Sequence, residues 1–235
     1  AKDQEETAGR ICELYLNEVK ATGIEQVQIL SPFRSRGDAS SDQLNEVIRE
    51  MVNPQSPEKP EITRGGITLR LYDKVMQKKN DSSIQLRDPK GNLLSRGVFN
   101  GEVGQICVIR KSTVLINFDG RYAEYPMDSL DELELAYATT VHKAMGSEYD
   151  TIILPMLMAH KIMMDRNVFY TAVTRAKRRV LLVGQKKALF AAICNKKAGR
   201  RNTLLGERMQ AYYKSQSIKM AAEQGERLPI IRRAS

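Results

Sequence analysis

GITLRLYDKVMQKKNDSSIQLRDPKGNLLSRGVFNGEVGQICVIRKSTVLINFDG, residues 66–120, alternates short β-prone runs with turn residues. The spacing predicts strands over 68–71, 74–77, 104–109 and 113–118. Asp88-Pro89-Lys90-Gly91-Asn92, Asn100-Gly101 and Asp119-Gly120 read as the turns between runs. Residues 81–95 read as an exposed hairpin or a loop. Up to about residue 128 the pattern is that of a small all-β barrel.

The flanks have a different rhythm. Residues 5–19 carry helical spacing, with Ile11, Leu14 and Val19 apolar. Residues 27–30 form an apolar run that stops at Ser31-Pro32, a strand ending in a loop. A polar stretch with Gly37 leads to a second helix over 42–51, stopped by three prolines within 53–60. Beyond residue 130 we expect a turn with a short helix over 140–146 and a strand over 151–154. A helix over 166–176, a strand over 180–183 ending at Gly184, and a helix over 187–195 complete the set. Apolar strands bounded by helices are what a parallel sheet covered on both faces produces. The fold class is therefore α/β, interrupted by a small β-barrel.

Composition excludes several classes. The chain has 235 residues, 42% hydrophobic and 28% charged, which rules out disorder throughout. No apolar run approaches the length of a membrane span, and no signal-peptide pattern opens the chain, so a cytoplasmic protein is expected. Cys12, Cys107 and Cys194 form no CxxC pair, and two histidines complete no zinc pattern, so no metal site is expected. The cysteines read as small buried apolar residues. Lysine and arginine exceed aspartate and glutamate by 37 to 28. The whole excess lies in residues 181–235, with 12 basic against 3 acidic residues. A solvated tail and a polyanion contact both fit that asymmetry.

Three sequence features bear on chemistry. No Gly-x-x-x-x-Gly-Lys-[Ser/Thr] loop is present. Arg110-Lys111-Ser112-Thr113 lacks the glycines that expose successive N–H groups to phosphate, and reads as a turn. The segment ATTVHKAMGSEYD, residues 138–150, gathers hydroxyls, an imidazole, an ammonium, a glycine and a carboxylate. Such groups hold a phosphodiester, and they equally decorate an N-capped exposed helix. The segment NVFYTAVTRAK, residues 167–177, places Arg175 near the end of an apolar helix. There it can reach a γ-phosphate across an interface or complement the helix C-terminus.

These two segments resemble motifs V and VI of superfamily 1 helicases, close to the RecD and TraA-like branch. The pattern appears as Thr140-Val141-His142-Lys143-Ala144-Met145-Gly146-Ser147-Glu148, then Tyr170 through Lys177. Ile29-Leu30-Ser31-Pro32, Leu44-Asn45 and Asn53-Pro54 resemble the motif IV region. Asp73 to Gln77, Asn80-Asp81 and Phe99 to Gly104 add further matches.

The resemblance implies a second RecA-like motor domain over 1–64 and 131–215, an SH3-like barrel over 65–130, and a basic tail over 216–235. It implies an ATP-dependent 5′-3′ DNA helicase whose ATP and Mg2+ are held mainly by another, N-terminal motor domain of the same protein. The partner is single-stranded DNA, or a duplex with a single-stranded tail, and the protein is a monomer without membrane contact. Arg175 becomes the arginine finger. Thr139, Thr140, His142 and Lys143 face the DNA backbone, while Gly146 and Glu148 face nucleotide. Arg34 or Arg36 senses the γ-phosphate. On the barrel, Lys78 and Lys79, with Arg87, Arg96 and Tyr122, are exposed and either guide the strand or are merely solvated. Met145 stands where the family has glutamine, so either a polar link is lost or Met145 packs in the core. The other class left open is a non-catalytic nucleic-acid or protein binding module built on this fold.

Overall fold

The structure is a computed structural model and describes residues 4–64, 66–195, 208–213 and 215. Residues 1–196 form one compact unit. In the second unit, residues 208–213 are helical. The expected tail over 216–235 lies outside the described residues.

Four parallel strands form the first sheet: β1 (Val27–Ser31), β11 (Ala138–Thr140), β12 (Tyr149–Met156) and β13 (Ala176–Gly184), in the order β11-β1-β12-β13. Every residue of β1 and nearly all of β12 are buried, as expected when both faces are covered. The pleat sorts side chains by parity. Ile29 and Ile153 pack under α1 (Gln4–Thr22) and α2 (Ser41–Val52), against Ile11, Tyr15, Leu44 and Ile48. Leu30, Ile152 and Leu154 face the other way, against α3 (Arg166–Val173) and α4 (Lys186–Cys194).

Between β1 and β11 the chain builds a second, antiparallel sheet. Its strands are β4 (Lys74–Gln77), β5 (Asp81–Arg87), β6 (Leu93–Val98), β7 (Val103–Ile109), β8 (Thr113–Phe118), β9 (Arg121–Pro126) and β10 (Leu133–Leu135). They run in the order β10-β4-β7-β8-β9-β5-β6 around a core that includes Val75, Leu86, Ile106, Val114, Ile116, Phe118 and Leu133. A separate hairpin, β2 (Glu61–Arg64) with β3 (Ile67–Arg70), precedes it.

Buried polar contacts lock this sheet to the α/β core. The Asp73 carboxylate accepts from Tyr137 Oη (2.8 Å), Asn53 Nδ2 (2.9 Å) and the Arg70 amide (2.8 Å). Burial pushes that carboxyl above its usual range, and the hydrogen bonds oppose the shift. Lys74 Nζ is buried, donates to the Ile24 and Val27 carbonyls at 2.9 Å each, and sits over the Tyr149 ring. Burial lowers its pKa to about 7. Asn45 fastens edge strand β11: its Nδ2 donates to the Leu135 and Ala138 carbonyls (3.1 and 2.9 Å), and its Oδ1 accepts from the Ala138 amide (2.8 Å).

Several expectations need correction. Residues 141–146 are consecutive turns, with no helix. Thr140 is level with Ser31, whereas Thr151 is level with Val27 and β12 starts two residues earlier. The link must therefore descend about 20 Å at ~3.3 Å per strand residue, more than eight residues of α-helix supply at ~1.5 Å each. The helix expected to reach 176 ends at Val173, and the strand expected from 180 begins at Ala176. Lys177, Arg178 and Arg179 hide that strand in the sequence because β13 is an edge, where charged side chains are tolerated. Of the cysteines, only Cys12 is buried, its thiol pushed up to about 11 by burial; Cys107 is half-buried and Cys194 exposed. Tyr122 and Lys78, expected on the surface, are half-buried.

Two outcomes follow. Asn45→Leu leaves three backbone groups of the β11 region without their side-chain partner and is expected to cost about 2 kcal/mol, read from urea unfolding. For Lys74, the unfolded chain keeps the ammonium up to its ordinary value near 10.5, while the folded chain releases the proton near 7. Between those values the unfolded state binds more protons, so this residue makes stability rise with pH, by at most about 1.4 kcal/mol per unit. Lys74→Met is expected to flatten the unfolding free energy from pH 7 to 10 relative to the parent chain.

Candidate nucleic-acid groove and nucleotide edge

At the C-terminal ends of β1 and β11 lies a cavity of about 340 Å³, between α2, the β2–β3 hairpin and the start of the 141–148 link. Arg34, Arg49, Lys78 and Lys143 bring four cations to its walls, and Ser41, Thr68 and Thr140 bring hydroxyls. Asp42, Glu46 and Glu134 oppose them. Glu134 bridges the two walls, pairing with Lys143 Nζ and, at 3.5 Å, with Arg34 Nη2. Arg34 also stands 3.6 Å from Asp42, and Arg49 Nη1 donates to the Thr68 carbonyl at 2.8 Å. On the barrel, Glu132 takes Lys79 at 3.6 Å and accepts from Gln77 Nε2 at 2.9 Å. Cations with hydroxyls in one groove are what a phosphodiester backbone requires.

Within the expected backbone-facing set, the side chains divide. Thr139 lines the groove but is buried, and its hydroxyl lies 3.8 Å from the Met76 sulfur. Thr140 accepts from the Lys143 amide at 3.4 Å, which shapes the first turn of the link. His142 is exposed and Lys143 half-buried. The Asn100-Gly101 turn of the barrel packs behind them. Gly101 has φ +93°, and a Cβ there would stand 3.1 Å from the Lys143 carbonyl.

The opposite edge of the sheet holds the other end of the link. Gly146 adopts φ +95°, which favours glycine. Ser147 and Tyr149 then meet Arg175, which lies in the turn between α3 and β13, one residue past Thr174. The Arg175 carbonyl accepts from the Tyr149 amide at 2.9 Å, which holds the turn against the start of β12. Arg175 Nη1 reaches the Ser147 carbonyl and Nη2 the Thr174 hydroxyl, both at a long 3.4 Å, while Nε is buried without a partner among the described residues. A guanidinium offers five N–H donors, so this one is under-engaged among the described residues. Glu148, between Ser147 and Tyr149, is exposed. A guanidinium so placed has donors to offer an anionic oxygen.

The structure therefore gathers Arg175, Gly146 and Glu148 at one edge. Arg34 stands at the other, with Thr140 and Lys143, and Arg36 is exposed on the same loop as Arg34. Met145 is 57% exposed, so it does not pack in the core. Sequence reading missed Arg49, Thr68 and Glu134. Leu133-Glu134-Leu135 does carry a signal, since strand alternation turns the carboxylate away from two buried or half-buried leucines.

Comparison with known proteins places these features in a family. Residues 44–118 match the SH3 domain of ATP-dependent RecD-like DNA helicases, and residues 135–183 match the UvrD-like helicase C-terminal domain. The chain is 33% identical over 191 residues to the ATP-dependent RecD2 DNA helicase of Deinococcus radiodurans, covering 79% of this chain and 24% of that protein. It is 30% identical over 135 residues to the RecBCD enzyme subunit RecD of Mycobacterium tuberculosis, covering 57% and 19%. A Bacteroides Pif1 helicase solved with ADP-AlF3 and single-stranded DNA aligns with 16% identity and a TM-score of 0.47, over 79% of this chain and 45% of that one. The chain thus spans about a quarter or less of the RecD relatives it matches. No helix among the described residues is long and apolar enough to cross a membrane. A parallel α/β sheet interrupted between β1 and β11 by a barrel of the RecD-helicase SH3 type, and resumed in a UvrD-like C-terminal segment, makes the chain a RecD-like domain of the superfamily 1 helicases.

Proposed function

We propose that the chain is the second motor domain of an ATP-driven 5′-3′ DNA translocase. Residues 1–64 and 131–215 form the motor domain, and 65–130 the inserted barrel. One observation carries the reading: the eight-residue link 141–148 starts in a groove of cations and hydroxyls and ends against an under-engaged arginine at the opposite edge of the sheet. A change at either end is passed to the other through a short covalent path packed on Gly101 of the barrel and on Arg175.

In this scheme single-stranded DNA lies along the groove, its phosphates met by Lys143, Thr140, Lys78 and Arg34, without reading base identity. His142 faces the strand from the exposed first turn of the link. Arg34 takes a backbone phosphate here, because it lies beside Lys143 and at the far edge from Arg175. ATP sits at the other edge, its phosphates and Mg2+ held by a phosphate-loop domain that Arg175 faces. Arg175 donates to the γ-phosphate oxygens as charge develops there. Glu148 flanks the nucleotide, and Gly146 lets the backbone approach it. The direction of travel comes from the family resemblance.

The test uses this chain joined to a phosphate-loop motor domain of its family. Arg175→Ala is expected to lower DNA-stimulated ATP turnover by about 10³-fold, the usual scale for an arginine finger. Binding to an oligo(dT) strand should stay within twofold of the parent. Turnover near the parent value would overturn the assignment of Arg175. Absence of any DNA-stimulated turnover in the parent would favour a non-catalytic binding module instead.

A further inference from the structure

We infer that Glu134 occupies the place of a backbone phosphate, holding Lys143 and Arg34 across the groove until single-stranded nucleic acid displaces it. The inference rests on the groove being the nucleic-acid path. It assigns the residue that sets how tightly that path grips.

Glu134 is the middle residue of β10, which pairs with β4 through Glu134 opposite Met76. Leu133 packs in the barrel core and Leu135 between the two cores. Strand alternation therefore turns Glu134 outward, into the cavity. Only a fifth of its side chain is exposed. One carboxylate oxygen takes Lys143 from the 141–148 link, and the other takes Arg34 from the loop after β1. Two oxygens between two cations on opposite walls is the arrangement a phosphodiester adopts, since carboxylate and phosphate present the same paired acceptors. A phosphate that uses Lys143 and Arg34 together competes with Glu134 for both.

Electrostatics point the same way. The cavity carries four cations against three carboxylates, so it is nearly neutral with Glu134 in place. A partly exposed ion pair is worth about 1 kcal/mol or less, so a phosphate can displace this one. While the groove is free, the carboxylate keeps two flexible cationic side chains ordered at the site. Once a strand enters, it opposes the bound phosphate. Glu134 is thus a positioning residue that acts through Lys143 and Arg34 and limits the strength of the grip.

The test measures anisotropy of a fluorescein-labelled oligo(dT) with the 235-residue chain across a salt series. Glu134→Gln is expected to tighten binding about five- to tenfold at low salt. The slope of log K against log salt should steepen by about 0.7, the value for one more neutralised phosphate on a single strand. In a Lys143→Ala background the gain should largely disappear. An unchanged affinity, or the same gain persisting without Lys143, would overturn the inference while leaving the groove reading in place. No binding by parent or Glu134→Gln would overturn both. Should Glu134→Gln melt well below the parent, Glu134→Asp replaces it. That variant keeps the charge but cannot span both cations, so several-fold tighter binding is expected, and an unchanged constant counts against the proposal.

Discussion

Two strands that flank β1 and run parallel to it cannot be joined at one end of the sheet. β11 finishes level with Ser31, and β12 starts below Val27, so residues 141–148 must descend the full height of the sheet. That topological requirement places Thr140 and Lys143 at the groove and Ser147 and Glu148 at the Arg175 turn. It also explains why the link is irregular: a helix is too short per residue to cover the drop. The glycine at 146 follows from the same demand, because the chain must reverse into β12 through a positive φ.

The barrel is part of this arrangement through its anchors. Asp73 and Lys74 are adjacent, and one faces Tyr137 while the other reaches the carbonyls of Ile24 and Val27. Together they clamp the first strand of the barrel to both boundaries of the α/β segment that holds β1 and β11. Leaving Asp73 buried without its partners would cost far more than the hydrogen bonds return, so the junction behaves as one fixed unit. The Asn100-Gly101 turn then meets the Lys143 carbonyl at a set distance. The barrel thus supplies a wall behind the link and, through Lys78, a side of the groove.

Much of this was legible in the sequence wherever a side chain has a strong preference. The alternation of Thr113 to Phe118, the prolines after α2 and the apolar run through Ile152 and Leu154 marked their elements closely. The strands that escaped were β2, β9, β10, β11 and the first half of β13. Apart from β9, an interior strand of six residues, they are short or lie at sheet edges, where polar residues are tolerated. Asn45, Asn53 and Asp73, which entered as parts of a family signature, prove to be hydrogen-bonded anchors whose partners lie 18 to 93 residues away. Pattern reading sees the residue type but not so distant a partner. Glu134 was missed for the same reason: its role depends on Lys143 and on Arg34, a hundred residues earlier.

The charge distribution bears on what such a groove is built to do. The first 180 residues carry equal numbers of acidic and basic side chains, although they hold the whole described groove. A surface meant for tight, static binding of a polyanion gains affinity with every uncompensated cation. Here the walls carry their own acids: Asp42 beside Arg34 and Glu134 beside Lys143. In the proposed function, local compensation would keep each phosphate contact weak and exchangeable. Under the proposed translocase function that balance suits a domain that releases and regrips a strand, since binding energy accumulated over many uncompensated contacts would become a barrier to the next step. The net positive charge of the sequence lies instead in residues 181–235.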